Sequence, residues 1–126
     1  MHSTAYRLVR QEREYSPALE TPVSALAARP GAWLRGGGYV WSDWGAWGAR
    51  LVIEIRRGEQ TVAWYGLRLH NNGTLPQRWS YVYADIPLPP DALPTDVVRI
   101  YGWALEGASP CLLDDLTLEV AERRER

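Results

Sequence analysis

The chain is predicted to be all-β, a two-sheet antiparallel β-sandwich of about eight short strands. Three observations predict this. Apolar and polar residues alternate with period two in short runs. Pro, Gly and Asn punctuate those runs at spacings of roughly 8 to 14 residues. No long stretch carries a helical period.

The elements follow in chain order. Residues 5–10 form a short strand, and Tyr15-Ser16-Pro17 breaks it. Residues 18–21 form a second. Residues 22–31 read as a connection holding one helical turn around Ser24-Ala25-Leu26-Ala27-Ala28. A strand over 32–41 is loosened by the three glycines 36–38. Residues 42–48 form a loop. Residues 49–57 alternate cleanly, with Leu51, Ile53 and Ile55 on one face and Glu54 and Arg56 on the other. Gly58-Glu59 turns tightly into 60–69, which completes the best hairpin in the chain. His70-Asn71-Asn72-Gly73-Thr74 is turn chemistry. Residues 78–86 form a strand stopped by Pro87-Leu88-Pro89-Pro90. Residues 97–104 and 111–120 form the last two, joined by a turn through 106–110. Neither a repeat nor a low-complexity segment interrupts the pattern. Residues 1–126 read as one domain, with 1–4 and 121–126 as tails.

Composition narrows the function. A chain of 126 residues buries roughly two thirds of its unfolded surface and needs no staples. The single cysteine, Cys111, excludes an internal disulfide and cysteine-rich zinc sites. Fourteen basic against fifteen acidic residues give a net charge of −1, which argues against nucleic acid as a partner. No stretch approaches the ~20 apolar residues of a membrane span, so this segment is not expected to insert. No charged-then-apolar leader opens the chain, so any export signal is expected outside it. Every basic residue is arginine, and phenylalanine is absent. GC-rich codon usage and selection of Arg to stack on Trp both account for this, and composition leaves the two open.

Four segments together resemble a known group. They are Tyr15-Ser16-Pro17 with Glu20-Thr21-Pro22-Val23; Arg78-Trp79 running to Ile86-Pro87-Leu88-Pro89; Val98-Arg99-Ile100-Tyr101-Gly102-Trp103; and Leu112-Leu113-Asp114-Asp115-Leu116-Thr117-Leu118. In this order they resemble bacterial carbohydrate-binding-module-like jelly rolls of the galactose-binding-domain-like class, over residues 5–120. The resemblance implies a jelly roll that binds sugar without catalysis, in a secreted, periplasmic or cell-surface setting. The family's opening Asn-Asp-Phe-Glu-like strand is not found here, so the resemblance implies a start one strand late and an exposed sheet edge able to pair with another copy or domain. Some members hold a structural calcium. Asp114 and Asp115 match half of that site, while calcium wants six to eight oxygens. No other cofactor is implied.

Enzymatic constellations are not evident. The histidines are His2, at a terminus, and His70, which reads as a surface side chain beside a turn. HExxH, GxSxG and Gly-rich phosphate loops do not occur. Asn72-Gly73-Thr74 is a formal glycosylation acceptor.

The aromatic residues carry the remaining information. Trp41, Trp44 and Trp47 stand three apart in Trp41-Ser42-Asp43-Trp44-Gly45-Ala46-Trp47. Alternation sends Val82, Ala84 and Ile86 inward and Tyr81, Tyr83 and Asp85 outward. Val98 and Ile100 point in, while Arg99, Tyr101 and Trp103 point out. One outer surface is therefore expected to carry Tyr81, Tyr83, Tyr101 and Trp103, an unusual exposed aromatic face unless something binds there. Pyranose rings present flat C–H faces to such rings, and hydroxyls need Asp, Arg, Asn or Gln. The candidate ligand residues are Trp41, Asp43, Trp44, Trp47, Tyr81, Tyr83 and Trp103. With phenylalanine absent, Trp33 and Trp79 are expected in the core. The leading reading is a non-catalytic carbohydrate-binding module, part of a larger envelope or secreted protein. The alternative is a spacer or protein-interaction sandwich that binds no sugar.

Overall fold

The structure is a computed structural model that describes residues 6–8, 14–26, 28–29, 31–70 and 72–121. Among the described residues, eight strands form two four-stranded antiparallel sheets. They are β1 (Tyr6–Leu8), β2 (Leu19–Pro22), β3 (Trp33–Ser42), β4 (Ala49–Arg57), β5 (Gln60–Arg68), β6 (Ser80–Pro87), β7 (Val97–Ala104) and β8 (Cys111–Ala121). The helical turn expected near residue 24 is a single 3-10 turn, Val23–Leu26. The tails at 1–4 and 122–126 lie outside the described residues. No helix among the described residues is long and apolar enough to cross a membrane.

The sheets run β1-β8-β3-β6 and β2-β7-β4-β5. Strands therefore pair as nested couples, β4 with β5, β3 with β6, β2 with β7 and β1 with β8. This is one long antiparallel ribbon whose tip is the Gly58-Glu59 turn. Rolling it up lays β8 against β3 and β7 against β4. The result is the jelly roll, with all eight places filled. At the sheet edge, β1 pairs with β8 at Leu8↔Cys111 and Tyr6↔Leu113, while the stretch where an earlier strand would lie is outside the described residues.

The core is aliphatic. Leu34, Leu51, Ile53, Ile55, Ile100 and Leu113 are all fully buried, each worth roughly 1.5–3 kcal/mol of transfer free energy. The inward faces expected for β4, β6 and β7 are the observed ones. All seven tryptophans lie outside the buried cluster, and among the described residues Tyr65 is the one aromatic residue packed against it. The expected core placement of Trp33 and Trp79 is overturned: both are half-buried. Leu34 takes the inward position of that stretch, and alternation then forces Trp33 out.

The three central glycines of β3 do not loosen the strand. Each lies within it and answers a steric demand. A Cβ at Gly36 would stand 2.6 Å from Ile53 Cδ1 and 2.8 Å from Ile100 Cδ1, inside the core. Gly37 faces the other way, and a Cβ there would stand 2.8 Å from Tyr81 Cζ.

Candidate functional site

The outward face of the first sheet follows from register. On β3 it carries Trp33, Arg35, Gly37, Tyr39 and Trp41, the residues alternating with the buried Leu34 and Val40. Across from them on β6, Pro87 faces Trp33, Asp85 faces Arg35, Tyr83 faces Gly37 and Tyr81 faces Tyr39. Because Gly37 has no side chain, the phenol of Tyr81 lies down over it. The rings of Tyr39 and Tyr81 have centroids 5.2 Å apart, and those of Tyr81 and Tyr83 are 5.8 Å apart at 28°. Tyr81 is 39% and Tyr83 47% exposed.

One end of this row is ionic. Arg35 Nε and Nη2 donate to Asp85 Oδ1 and Oδ2 at 2.7 and 2.9 Å, a two-pronged pair. The Arg35 guanidinium carbon also sits 4.2 Å above the Tyr83 ring. These hydrogen bonds hold the Asp85 carboxyl below its ordinary value. At the other end, Trp41 and Asp43 line a depression of about 290 Å³ with Pro110, Cys111 and Leu112. The Cys111 thiol is pushed up to about 12 by burial, so it stays protonated at neutral pH and offers no nucleophile. From Arg35 to Trp41 the track runs six residues along β3, about 20 Å at ~3.3 Å per residue. Four of the expected ligand residues, Trp41, Asp43, Tyr81 and Tyr83, thus belong to one surface.

The other candidates stand elsewhere. Trp103 lies on β7 in the second sheet, where it stacks on Tyr15 at 10° and meets Trp64 edge-on. The expected common face of Tyr81, Tyr83, Tyr101 and Trp103 is therefore split between opposite sides of the sandwich. Alternation tells in from out, but the connection from Pro87 to Val97 carries the chain from one sheet to the other. Trp44 and Trp47 occupy the β3–β4 loop, 71% and 57% exposed. That loop is firmly fastened. Its Gly45 N–H donates to Ser42 Oγ at 2.8 Å, and Ser109 N–H donates to the Trp47 carbonyl at 2.9 Å. His70 is more than a surface side chain: its ring lies 3.6 Å from that of Trp47, and Nδ1 is 3.1 Å from the Gly45 carbonyl oxygen.

Asp114 and Asp115 have a structural task. The β3–β8 register slips between Gly37 and Tyr39, and Asp115 takes a left-handed φ of 52°. This bulge shifts the phase of β8, so that Leu113 before it and Leu116 and Leu118 after it all face the core. The buried Asp114 Oδ1 accepts the Asp115 N–H at 2.8 Å. Among the described residues no group of three or more His, Cys, Asp or Glu stands together for a metal.

Gly37, Tyr39 and Asp85 are not among the site residues that the sequence points to. Period two already places Arg35 and Tyr39 with Trp41, but the partner strand that completes the track is fixed only by the β3–β6 register. The sequence and fold of this chain match no family model, no curated protein and no solved structure.

Proposed function

We propose that this jelly roll is a non-catalytic module that binds a neutral polysaccharide chain lengthwise along the track from Asp85 to Asp43, as part of a larger envelope or secreted protein. The observation that carries the reading is the row of outward Tyr39, Tyr81 and Tyr83 rings laid across a side-chain-free Gly37. A surface of exposed rings this regular is not needed for the core, which is aliphatic. Successive pyranose rings stack their C–H faces on the phenols and on Trp41. Arg35 and Asp85 neutralise each other, which suits hydroxyls better than carboxylates or amines. Asp43 offers an acceptor where Trp41 closes the track.

The test is affinity electrophoresis against a panel of soluble neutral polysaccharides. At least one retards the protein, and Tyr81→Ala or Tyr83→Ala weakens that binding about tenfold, near 1.4 kcal/mol, with the melting temperature unchanged. Absence of retardation by every glycan, or full retardation of the Tyr81→Ala/Tyr83→Ala double variant, removes the reading. The alternative, a spacer or docking sandwich, draws on Trp44 and Trp47, large exposed rings in a fixed loop. It predicts no retardation at all.

A further inference from the structure

The second sheet carries a different kind of site on its outer face. A cavity of about 360 Å³ is lined by Tyr15, Ser16, Glu54, Arg56, Arg99 and Tyr101. This is the low end of the range for small-molecule sites. Glu54 projects outward from β4, opposite the inward Ile53 and Ile55, yet is only 5% exposed. Its Oε1 accepts from Arg99 Nη1 at 2.8 Å and lies 3.9 Å from Arg56 Nη1. Oε2 receives no hydrogen bond from the described residues. On the same face, Trp103 Nε1 is a buried donor with no hydrogen-bond partner among the described residues, and the buried Arg99 Nε makes an ion pair with Glu20 Oε2 at 3.4 Å. A buried polar atom of this kind is costly to leave unanswered and calls for an explanation.

The chemistry of the lining selects the ligand. Glu20 and Glu54 balance Arg56 and Arg99, so neither an anion nor a cation gains from entering. The rings of Tyr15 and Tyr101 stand 5.9 Å apart at 68° and form a corner, unlike the open row on the first sheet. A corner of this volume has room for one ring. We infer that this cavity binds a single neutral sugar unit, with Glu54 Oε2 accepting from one hydroxyl, Arg56 donating to its neighbour, and the two tyrosines against the C–H face. The site lies on the sheet opposite the track and does not rest on the polysaccharide reading. With both sites occupied, the module bridges two glycans.

The test uses amide chemical shifts of the full chain titrated with methyl glycosides of neutral hexoses and pentoses, with glucuronate and glucosamine as charged probes. At least one neutral glycoside moves the amides of Ser16, Glu54 and Tyr101 saturably. Glu54→Gln weakens that binding about tenfold, while the Tyr81→Ala/Tyr83→Ala variant leaves it intact even if polysaccharide binding is lost. If Glu54→Gln does not fold, Tyr15→Ala, at the exposed lip, gives the same tenfold loss. The inference is overturned if no neutral glycoside moves these amides, if only the charged sugars do, or if the folded variants bind as well as the parent.

Discussion

On the proposed reading, adjacent glycines in β3 separate stability from recognition. Gly36 faces Ile53 and Ile100, so Gly36→Ala overpacks the core and costs about 1–3 kcal/mol. Denaturant titration should show this loss with glycan binding unchanged. Gly37 faces the Tyr81 ring, whose far end can swing aside. A Cβ there would also stand 3.0 Å from the Val82 carbonyl oxygen, so Gly37→Ala should cost about 1 kcal/mol in stability and weaken the proposed polysaccharide binding as much as Tyr81→Ala does. Asp96 gives a second residue-scale case. Its fully buried carboxylate accepts from Arg57 Nε and Nη2, both at 2.9 Å, and from the Leu93 N–H. Those bonds lower its proton affinity, the Arg57 hydrogen bonds contributing most. Its folded value thus lies below the unfolded ~3.9. The stabilisation is complete above that pH and drains away as pH falls further. Asp96→Asn should cost about 1–3 kcal/mol at neutral pH, and its stability should depend less on pH below about 4, as followed by circular dichroism.

At the scale of elements, the β3–β4 loop and the β8 bulge are both left-handed devices. Gly45, Ala46 and Gly48 all have positive φ, which turns the chain sharply and throws Trp44 and Trp47 outward. Gly48 also passes so close to Ala108 that a Cβ would stand 2.8 Å from its Cα. Gly48→Ala should lower stability by about 2 kcal/mol, the left-handed penalty plus that contact, and should raise hydrogen exchange in the loop. In β8 the aspartate at the bulge is tolerated because a short polar side chain suffers least at positive φ. Asp115→Val, which brings in a β-branched side chain, should disturb the β8 phase, whereas Asp115→Gly should not. Thermal melts of the two variants compare them directly.

Among the described residues the buried core is aliphatic, and the indoles stand at the surface or half-buried. Native tryptophan emission should therefore already resemble that of partly hydrated indole. Its shift on unfolding should be small beside the loss of the β-sheet circular dichroism signal. A large blue-shifted native band would contradict this arrangement. The nested pairing also joins the first strand to the last. Such long-range closure should place folding in the millisecond-to-second range, slow for a domain of this size, measurable by stopped flow.

Period two and turn residues alone determined which stretches are strands and, for β4, β6 and β7, which side faces the core. Residues 49–57 and 97–104 are strands to the residue, because an alternating run bounded by Gly and Pro has one way to bury its apolar half. Tertiary structure decided which sheet each strand joins. Tyr83 and Trp103 both point outward, but on opposite sides, since their strands are separated by a connection that crosses between layers. Pairing β3 with β6 brought Arg35 to Asp85 and Tyr39 to Tyr81 across roughly fifty residues of chain or fewer. Pairing β7 with β4 set Glu54 beside Arg99. Local sequence holds a strand's own alternation, while its neighbours are fixed only when the rolled ribbon closes its core.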